Sequence, residues 1–401
     1  MEKRSGALVL AFLTACAGAQ LPVESQGNPH AASRAASHAI VYSFLGGDDG
    51  EYPAPEDAPL RVLGGILYGT TSSGGVSRCG SYGCGTFFQL TTNGDEQVLY
   101  RFTGAPDAGN PSGPLIHYKN IWYGLAGSGG AENQGAVYAV SNAGVEHVVY
   151  SFKGGNDGTT PFGGLLPFAG TLYGTTSYGG RHNLGTVFAI TPSGTEKVLH
   201  SFDLRADGAH PYDGLTLLGG KMYGTTIDGG TYGYGAVFEI EPAGRERIVY
   251  SFDYGNDGAS PQAPLTAIGG NLYGTTTDGG GSGYNGTAFD VSTSGKEQIL
   301  HRFSKSATDG YFPQSTLLYY DGALYGTTYV GGQGGGGIVF RLSLSGKEEV
   351  LHYFEGAPND GWWPTGGLIA AGKVLYGSSY AGGSGDCAYN EGCGTVFRIT
   401  P

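Results

Sequence analysis

Short runs of alternating apolar and polar residues, separated by glycine-rich turns, recur along most of the chain. The segment from Gly163 to Phe202 shows one complete unit, with the runs GLLPF, TLYGTT, TVFAIT and TEKVLHSF. Alternation with a period of two residues is typical of β-strands, and short gaps rich in Gly, Pro, Ser and Asn are typical of hairpin turns. This segment is therefore predicted to form four strands joined by tight turns.

The same four-strand pattern occurs seven times. The tyrosine of the motif L-Y-G-T-T, or of its variants, recurs at intervals of 55, 50, 50, 50, 52 and 51 residues, at Tyr68, Tyr123, Tyr173, Tyr223, Tyr273, Tyr325 and Tyr376. A glycine precedes each third run and an aromatic-x-Phe or His-x-Phe motif ends each fourth run. Four strands in about 50 residues, repeated in tandem, are typical of a β-propeller blade.

The two ends of the repeat region complement each other. The last unit stops at the run TVFRIT and lacks a fourth strand, whereas the first unit is preceded by a lone strand, Ala39 to Phe44. An open solenoid, the competing architecture, needs atypical capping units at both ends, and neither end has that character. Pairing the first strand with the last unit closes the ring and removes two exposed sheet edges. We predict an all-β, seven-bladed propeller over residues 39–401.

Composition supports a folded β protein despite an unusual glycine content. Glycine makes up 77 of 401 residues, or 19%, against about 7% in average usage. The chain is nevertheless 39% hydrophobic, 12% aromatic and only 14% charged, whereas disordered chains have few aromatic and many charged residues. The formal net charge of −13 comes without a cluster of basic residues, so nucleic acid is not an expected partner.

The N-terminus has the pattern of an export signal. A short charged segment is followed by the apolar run Ser5 to Ala15, which is shorter than the roughly 20 residues that span a bilayer. The run ends in LTAC, which resembles a bacterial lipobox. We therefore predict a signal peptide over 1–15, lipidation of Cys16 as a membrane anchor, and a flexible tether over 16–38. The alternative is an ordinary signal peptide cleaved near Ala17 or Ala19.

The other four cysteines form two local pairs. In an exported protein the pairs Cys79–Cys84 and Cys387–Cys393 are expected to be disulfides. A zinc site with four thiolate ligands is the alternative, but the spacings differ from the usual two-residue knuckles. Beyond such a site, the sequence predicts no metal and no cofactor.

The tandem unit resembles the GloVer-type repeat family of bacterial exported proteins. The shared motifs are G-T-V-F-x-I, E-x-x-L-x-S-F, D-G-x-x-P and L-Y-G-T-T-x-x-G-G, and they cover nearly all of residues 39–401. The second unit departs most, because Trp122 to Ala126 replaces L-Y-G-T-T and Ala108 to Pro111 replaces D-G-x-x-P. The resemblance implies export and surface display with differing anchoring signals, and it implies no catalytic activity.

Variation between the units marks one face of the predicted ring. The loops between strands 2 and 3 and the crossings from strand 4 to the next blade share this face and vary in content, whereas the turns on the other face are tight. The aspartates of D-G-x-x-P lie in six of the seven crossings: Asp49, Asp157, Asp207, Asp257, Asp309 and Asp360. They suggest a ring of calcium ligands, but Asp before Gly favours a turn in which its carboxylate caps backbone N–H groups.

The two variable positions of D-G-x-x-P predict a binding surface. They hold aromatic residues in three consecutive crossings, and the predicted aromatic arc consists of Tyr52, Tyr311, Phe312, Trp362 and Trp363. Exposed aromatic rings stack on sugars and on other apolar groups, so this arc is the candidate ligand site. The alternative is that these rings pack beneath the two cysteine loops.

No nucleophile or phosphate-binding motif is present in the sequence. His200, His301 and His352 replace tyrosines at a repeated position and are predicted to be structural. The repeated glutamates at the start of the fourth strands are expected to be charges that protect a sheet edge. We therefore predict a lipid-anchored binding or interaction module of the cell envelope, with an extracellular glycan or protein as its ligand. A glycan-active hydrolase or lyase using Asp57, Asp386, Glu391 and Arg78 is the first alternative, and a purely structural envelope protein is the second.

Overall fold

The structure is a computed structural model that describes residues 36–53, 58–76, 78–80, 82–204, 207–281, 283–387 and 391–401. Within them the chain forms seven antiparallel sheets of four main strands each, which confirms the predicted seven-bladed propeller. Cys16, the signal segment and most of the tether lie outside the described residues, so the anchor stays a prediction.

Four strands build each blade from the central channel outward, and blades are numbered 1 to 7 in the order of their second strands. The innermost strands are Arg61–Leu63, Ala108–Tyr118, Leu166–Phe168, Thr216–Leu218, Thr266–Ile268, Leu318–Tyr320 and Ile369–Ala371. The second strands are Ile66–Ser73, Ile121–Gly129, Thr171–Thr176, Lys221–Thr226, Asn271–Thr276, Ala323–Thr328 and Val374–Ser379. The third strands are Thr86–Thr91, Ala136–Ser141, Thr186–Ile190, Ala236–Ile240, Thr287–Ser292, Ile338–Ser343 and Thr395–Thr400. The outer strands are Glu96–Arg101, Glu146–Ser151, Glu196–Ser201, Glu246–Ser251, Glu297–Arg302, Glu348–Tyr353 and, for blade 7, Ser37–Ser43.

Short additional elements decorate the crossings between blades. They are the strands Glu51–Pro53, Gly310–Tyr311, Val330–Gly331, Gly361–Trp362 and Ala381–Gly382 and the 3-10 turns Gly47–Asp49 and Gly155–Asp157.

The N-terminal strand closes the ring as predicted. Ser37–Ser43 is antiparallel to Thr395–Thr400, with Ser37 opposite Thr400 and Ser43 opposite Thr395. Blade 7 is therefore built from both ends of the described chain, and the closing contact is a run of ordinary ladder hydrogen bonds between two β-strands.

Pairs of aromatic rings fill the space between neighbouring blades. The phenylalanine that follows each outer strand packs on the third-strand aromatic of the next blade, as in Phe152 on Phe188 with centroids 5.2 Å apart. The glycine of L-Y-G-T-T leaves room for that third-strand ring, since a Cβ on Gly224 would lie 2.6 Å from Cζ of Phe238. This close approach explains why the motif contains glycine in the middle of a strand, where it otherwise weakens the structure.

The innermost strands surround an apolar central channel. A cavity of about 560 Å³ in this channel is lined by residues of all seven blades, including Leu165, Leu215, Leu265 and Leu317. The loops between strands 2 and 3 and the crossings between blades meet on one side of the ring, here called the loop face. The candidate site lies on the loop face.

Candidate functional site

The residue before the proline of each crossing has a positive φ in all seven blades. These residues are Tyr52, Asn110, Thr160, His210, Ser260, Phe312 and Trp363, with φ between 52° and 59°. Left-handed backbone is uncommon outside glycine and is especially unfavourable for bulky side chains. A conformation held seven times by such different residues must therefore be imposed by the surrounding backbone.

Hydrogen bonds between neighbouring blades impose it. The N–H of each of these seven residues donates to a carbonyl in the loop of the preceding blade, over 2.8–3.0 Å. The Trp363 N–H donates to the Gly336 carbonyl of blade 6, and the Trp363 carbonyl accepts from the Tyr380 N–H of blade 7, each over 2.9 Å. Because the backbone alone makes these bonds, the side chain at this position is free to differ from blade to blade.

Five aromatic side chains, here called the aromatic row, follow one another across three consecutive crossings. In spatial order the row is Phe312, Tyr329, Trp363, Tyr380 and Tyr52. Trp363 stacks on Tyr329 with centroids 5.5 Å apart and Tyr52 stacks on Tyr380 at 4.5 Å. Backbone hydrogen bonds connect Tyr329 to Phe312 and Tyr380 to Trp363. All five rings are half-buried, so the row is anchored on one side and open to solvent on the other.

The row contains three of the five aromatic residues predicted from the sequence. Tyr52, Phe312 and Trp363 belong to it. The alternative expectation was that these rings pack beneath the cysteine loops, but the ring of Trp363 stacks on Tyr329 instead. Trp362 instead lies flat against Gly356, where a Cβ would be only 1.9 Å from its ring. Tyr311 packs edge-on against Phe312 beneath the ammonium of Lys305, which is 5.2 Å from the Tyr311 centroid.

Sequence reasoning missed several aromatic residues. Tyr329 and Tyr380 directly follow L-Y-G-T-T or its variant, and other blades have small or aliphatic residues there: Ser72, Gly127, Ser177, Ile227 and Thr277. Comparing the residue that follows this motif in all seven repeats would have identified Tyr329 and Tyr380.

A separate tyrosine cluster lies where blades 4 and 5 meet. Its rings are Tyr234, Tyr254 and Tyr284, with centroids 4.9 Å and 5.1 Å apart along the stack. Tyr234 and Tyr284 are 43% and 50% exposed, more than any ring of the aromatic row. The cluster and the row occupy four consecutive interfaces, from blade 4 to blade 1.

The two predicted disulfides are confirmed and support the loop face. They join Cys79 to Cys84 and Cys387 to Cys393, with Cα–Cα distances of 5.0 and 5.1 Å. The carbonyls of Cys393 and Cys84 accept the N–H groups of Tyr52 and Asn110. Each disulfide therefore braces an inter-blade hydrogen bond, one on either side of blade 1.

The predicted catalytic alternatives do not form an enclosed site in the described part of the chain. Arg78, Asp386 and Glu391 are all exposed, in the cysteine loops of blades 1 and 7, and Asp57 lies outside the described residues. Burial, followed by the nearby charge of Glu391, raises the pKa of Tyr329. Glu391 is therefore close to the aromatic row. A carboxylate at this place can accept hydrogen bonds from a ligand as well as act in catalysis.

The crossing aspartates cap backbone N–H groups, as the turn hypothesis predicts. Asp157 accepts from the Lys153 N–H over 2.7 Å and from the Tyr150 hydroxyl over 2.7 Å. In blade 2 the same role belongs to Asp107, which accepts from Tyr100 and Thr103. The second unit therefore keeps the aspartate that its sequence seemed to lack.

The expected role of the outer-strand glutamates as edge charges is wrong. Six of them lie at blade interfaces beside a crossing aspartate, and one carboxylate oxygen of each is buried without a hydrogen-bond partner: Glu96, Glu146, Glu196, Glu246, Glu297 and Glu348. Burial, reinforced by the aspartate charge, raises the pKa of Glu146 and Glu246 to about 8 and that of the other four to about 7. These carboxyls therefore hold a proton more readily than an exposed glutamate does.

The seventh interface, between blades 6 and 7, replaces this glutamate with His38. His38 pairs with Ile399 in the position that Glu96 has opposite Leu90. Its ring stacks on His352 with centroids 3.6 Å apart. Burial and the neighbouring His352 lower the pKa of His38 to about 4, so this imidazole is neutral at pH 7.

The fold and the loop face define a class: a disulfide-braced, seven-bladed β-propeller made of one tandem repeat, with its variable side chains on a single face. The Gloeobacter/Verrucomicrobia repeat model matches residues 30–231 and 217–401. The chain therefore belongs to the Gloeobacter/Verrucomicrobia repeat family, which confirms the resemblance seen in its motifs. No functionally curated protein matches the sequence.

Several solved structures are similar to the chain at low sequence identity. A puromycin hydrolase S511A mutant complexed with PGG is 13% identical with a TM-score of 0.51; the match covers 84% of this chain and 51% of the hydrolase. A luciferin-regenerating enzyme is 12% identical with a TM-score of 0.44, covering 91% of this chain and 95% of that one. A PQQ-bound aldose sugar dehydrogenase from Streptomyces coelicolor is 14% identical with a TM-score of 0.42, covering 91% and 98%.

Two disulfides indicate an oxidising, non-cytoplasmic environment. Within the described residues, no helix has the length and apolarity required to cross a membrane.

Proposed function

We propose that this protein is an exported, lipid-anchored binding module that holds an extended glycan on its loop face. The observation that carries the proposal is the run of aromatic rings over four consecutive interfaces, formed by the tyrosine cluster and the aromatic row. A run of this length fits a polymer better than a single small molecule, because each interface offers one contact zone to successive units of a chain.

The chemistry of the rings favours sugars. A pyranose ring has a flat face of C–H groups and an edge of hydroxyls, so it gains from an aromatic face below and polar groups beside it. Stacked, half-buried rings lose little side-chain entropy on binding, because their contacts already hold them in place. The inter-blade hydrogen bonds of Trp363 and Tyr52 fix the backbone beneath the row in the same way.

Polar groups continue the surface beyond the aromatic row. At the next interface, between blades 1 and 2, Asn110 replaces the aromatic residue. It borders a cavity of about 610 Å³ that Arg78, Ser128 and Asn133 also line. Hydroxyl, amide and guanidinium groups beside stacked rings are the combination that orients a sugar through its hydroxyls.

The proposed anchor is compatible with binding a polymer outside the membrane. Lipidation at Cys16 followed by a tether of about twenty residues allows a reach of roughly 25 Å, enough for the loop face to contact a polymer of the envelope or its surroundings.

Affinity electrophoresis of the mature chain in native gels containing soluble polysaccharides tests the proposal. We expect retarded migration in at least one polysaccharide, and loss of the retardation in Trp363→Ala and Tyr380→Ala. Tyr284→Ala should weaken it by an intermediate amount, because it removes one end of the surface. Tyr232→Ala is the matched control, since Tyr232 is 59% exposed on the loop face and belongs to neither aromatic group.

The same gels distinguish binding from catalysis. The wild-type chain should leave the polysaccharide intact, and reducing ends that accumulate with wild type but not with Asp386→Asn would favour the hydrolase or lyase alternative. Retardation that persists in both Trp363→Ala and Tyr380→Ala would contradict the assigned surface.

A further inference from the structure

Three metal-ligating side chains meet at the interface between blades 6 and 7. They are His38 on the N-terminal closing strand, His352 on the outer strand of blade 6, and Asp360 in the crossing that connects these blades. His352 Nε2 is 3.0 Å from Asp360 Oδ2, and His38 Nε2 is 3.7 Å from Asp360 Oδ1. One ligand atom from each of the three side chains lies within 4.8 Å of the others.

The cluster has features of a site for a bound ion. Nε2 of His38 is buried and has no hydrogen-bond partner. The rings of Phe354 and Phe397 pack against His38 at 5.8 and 5.7 Å. A cavity of about 550 Å³ opens beside the three side chains and is also lined by Gln333 and Asn359, which leaves space for water ligands.

We propose that His38, His352 and Asp360 bind one zinc ion. Two imidazoles and one carboxylate with an open fourth position form a ligand set typical of zinc in proteins. The two stacked rings must open by rotation about their Cβ–Cγ bonds, so that both Nε2 lone pairs converge on the ion beside Asp360. The fourth ligand is water from the adjoining cavity.

Zinc at this point would fasten the closure of the ring. The N-terminal strand is held to blade 7 by its ladder with Thr395–Thr400, and the ion would join the same strand to blade 6 as well. The closing strand directly follows the predicted tether in sequence. The zinc ion would therefore stabilise the strand that connects the propeller to the proposed anchor.

The repeat itself identifies this site as different from its six counterparts. Four of the other interfaces combine a tyrosine, an aspartate and a glutamate, as in Tyr42, Asp49 and Glu96. Two others have a single histidine with an aspartate and a glutamate: His200, Asp207, Glu246 and His301, Asp309, Glu348. Among the described residues, only the group of three at the interface of blades 6 and 7 contains two histidines, which predicts a stoichiometry of one ion per chain.

Isothermal titration of the tag-free mature chain with zinc chloride at pH 7 tests the proposal, with thermal unfolding as a second readout. We expect one zinc per chain and a rise in Tm of about 3 °C when free zinc is a hundred times the Kd. The double variant H38E/H352Y should abolish both effects. It installs the Glu and Tyr that occupy these positions in four other interfaces, so it is expected to fold.

His200→Tyr is the matched control, since it removes one histidine from another interface and should leave zinc binding unchanged. If H38E/H352Y fails to fold, His352→Tyr alone serves as the test and should lower the zinc affinity at least tenfold. The absence of zinc binding to the wild type would overturn the proposal, as would binding that survives in H38E/H352Y or is lost in His200→Tyr.

Discussion

The six interface glutamates make the stability of the propeller depend on pH in an unusual direction. Their pKa values in the folded chain are about 7 to 8, above the ordinary value of 4.5. A carboxyl with a raised pKa binds its proton more tightly when folded. Its contribution is therefore complete below about pH 4.5 and is lost as the pH rises through 7 to 8. We expect the protein to be most stable near pH 5 and less stable at pH 8.5.

The size of the stability loss between pH 5 and pH 8.5 follows from the number of interfaces that contain such a glutamate. Raising the pKa of a carboxyl from 4.5 to between 7 and 8 corresponds to roughly 4 kcal/mol for a fully enclosed group. These carboxyls are only about half enclosed, and solvent screening reduces the effect to about 1 kcal/mol each. Six interfaces together give about 6 kcal/mol. For a domain of roughly 360 residues this lowers Tm by about 8 °C between pH 5 and pH 8.5.

Thermal unfolding at constant ionic strength across this pH range is the assay, and a variant with all six glutamates changed to glutamine is the comparison. Glutamine mimics the protonated carboxyl, so Tm of the variant should be nearly flat with pH and exceed that of wild type at pH 8.5. Glu132→Gln changes an exposed glutamate and is the control for the loss of a surface carboxylate. A wild-type Tm that is equal at pH 5 and pH 8.5, or a glutamine variant with the wild-type slope, would refute the reasoning.

Three further predictions address the fold and the anchor. Gly224→Ala places a methyl group against Phe238 and should cost about 1–3 kcal/mol, seen as a lower denaturant midpoint; an unchanged midpoint would show that the ring has room to move. Removing the second disulfide by C387S/C393S should lower Tm by about 3–4 °C if the loss is about 3 kcal/mol, and an equal Tm under reducing and oxidising conditions would contradict this. Radioactive palmitate should label the wild-type chain in cells but not Cys16→Ser, and labelling of the variant would exclude Cys16 as the acylated residue.

The fold could be predicted from the sequence because each physical requirement is repeated seven times. The L-Y-G-T-T glycine has to accommodate the third-strand ring in every blade, as Gly224 accommodates Phe238. The requirement therefore appears as a period of about 50 residues. Ring closure was also predictable, since a blade without an outer strand and an outer strand without a blade complete each other.

The candidate site was harder to predict from the sequence, because it depends on contacts between blades rather than within one unit. The motif marked Trp363, but its stacking partner Tyr329 belongs to a different column of the repeat. His38 was hidden for a similar reason: it stands 314 residues before its ring partner His352, and only closure brings the two together. Trp362 was selected for its aromatic character, yet its burial against Gly356 was not encoded in the pattern.

Binding of the fluorescently labelled mature chain to a glycan array, compared with Trp363→Ala of equal Tm, tests the central claim most directly. We expect the wild type to bind a set of related, extended glycans and Trp363→Ala to lose at least tenfold in apparent affinity for them. Wild-type protein that binds no glycan on the array, or a Trp363→Ala variant that binds as wild type does, would contradict it.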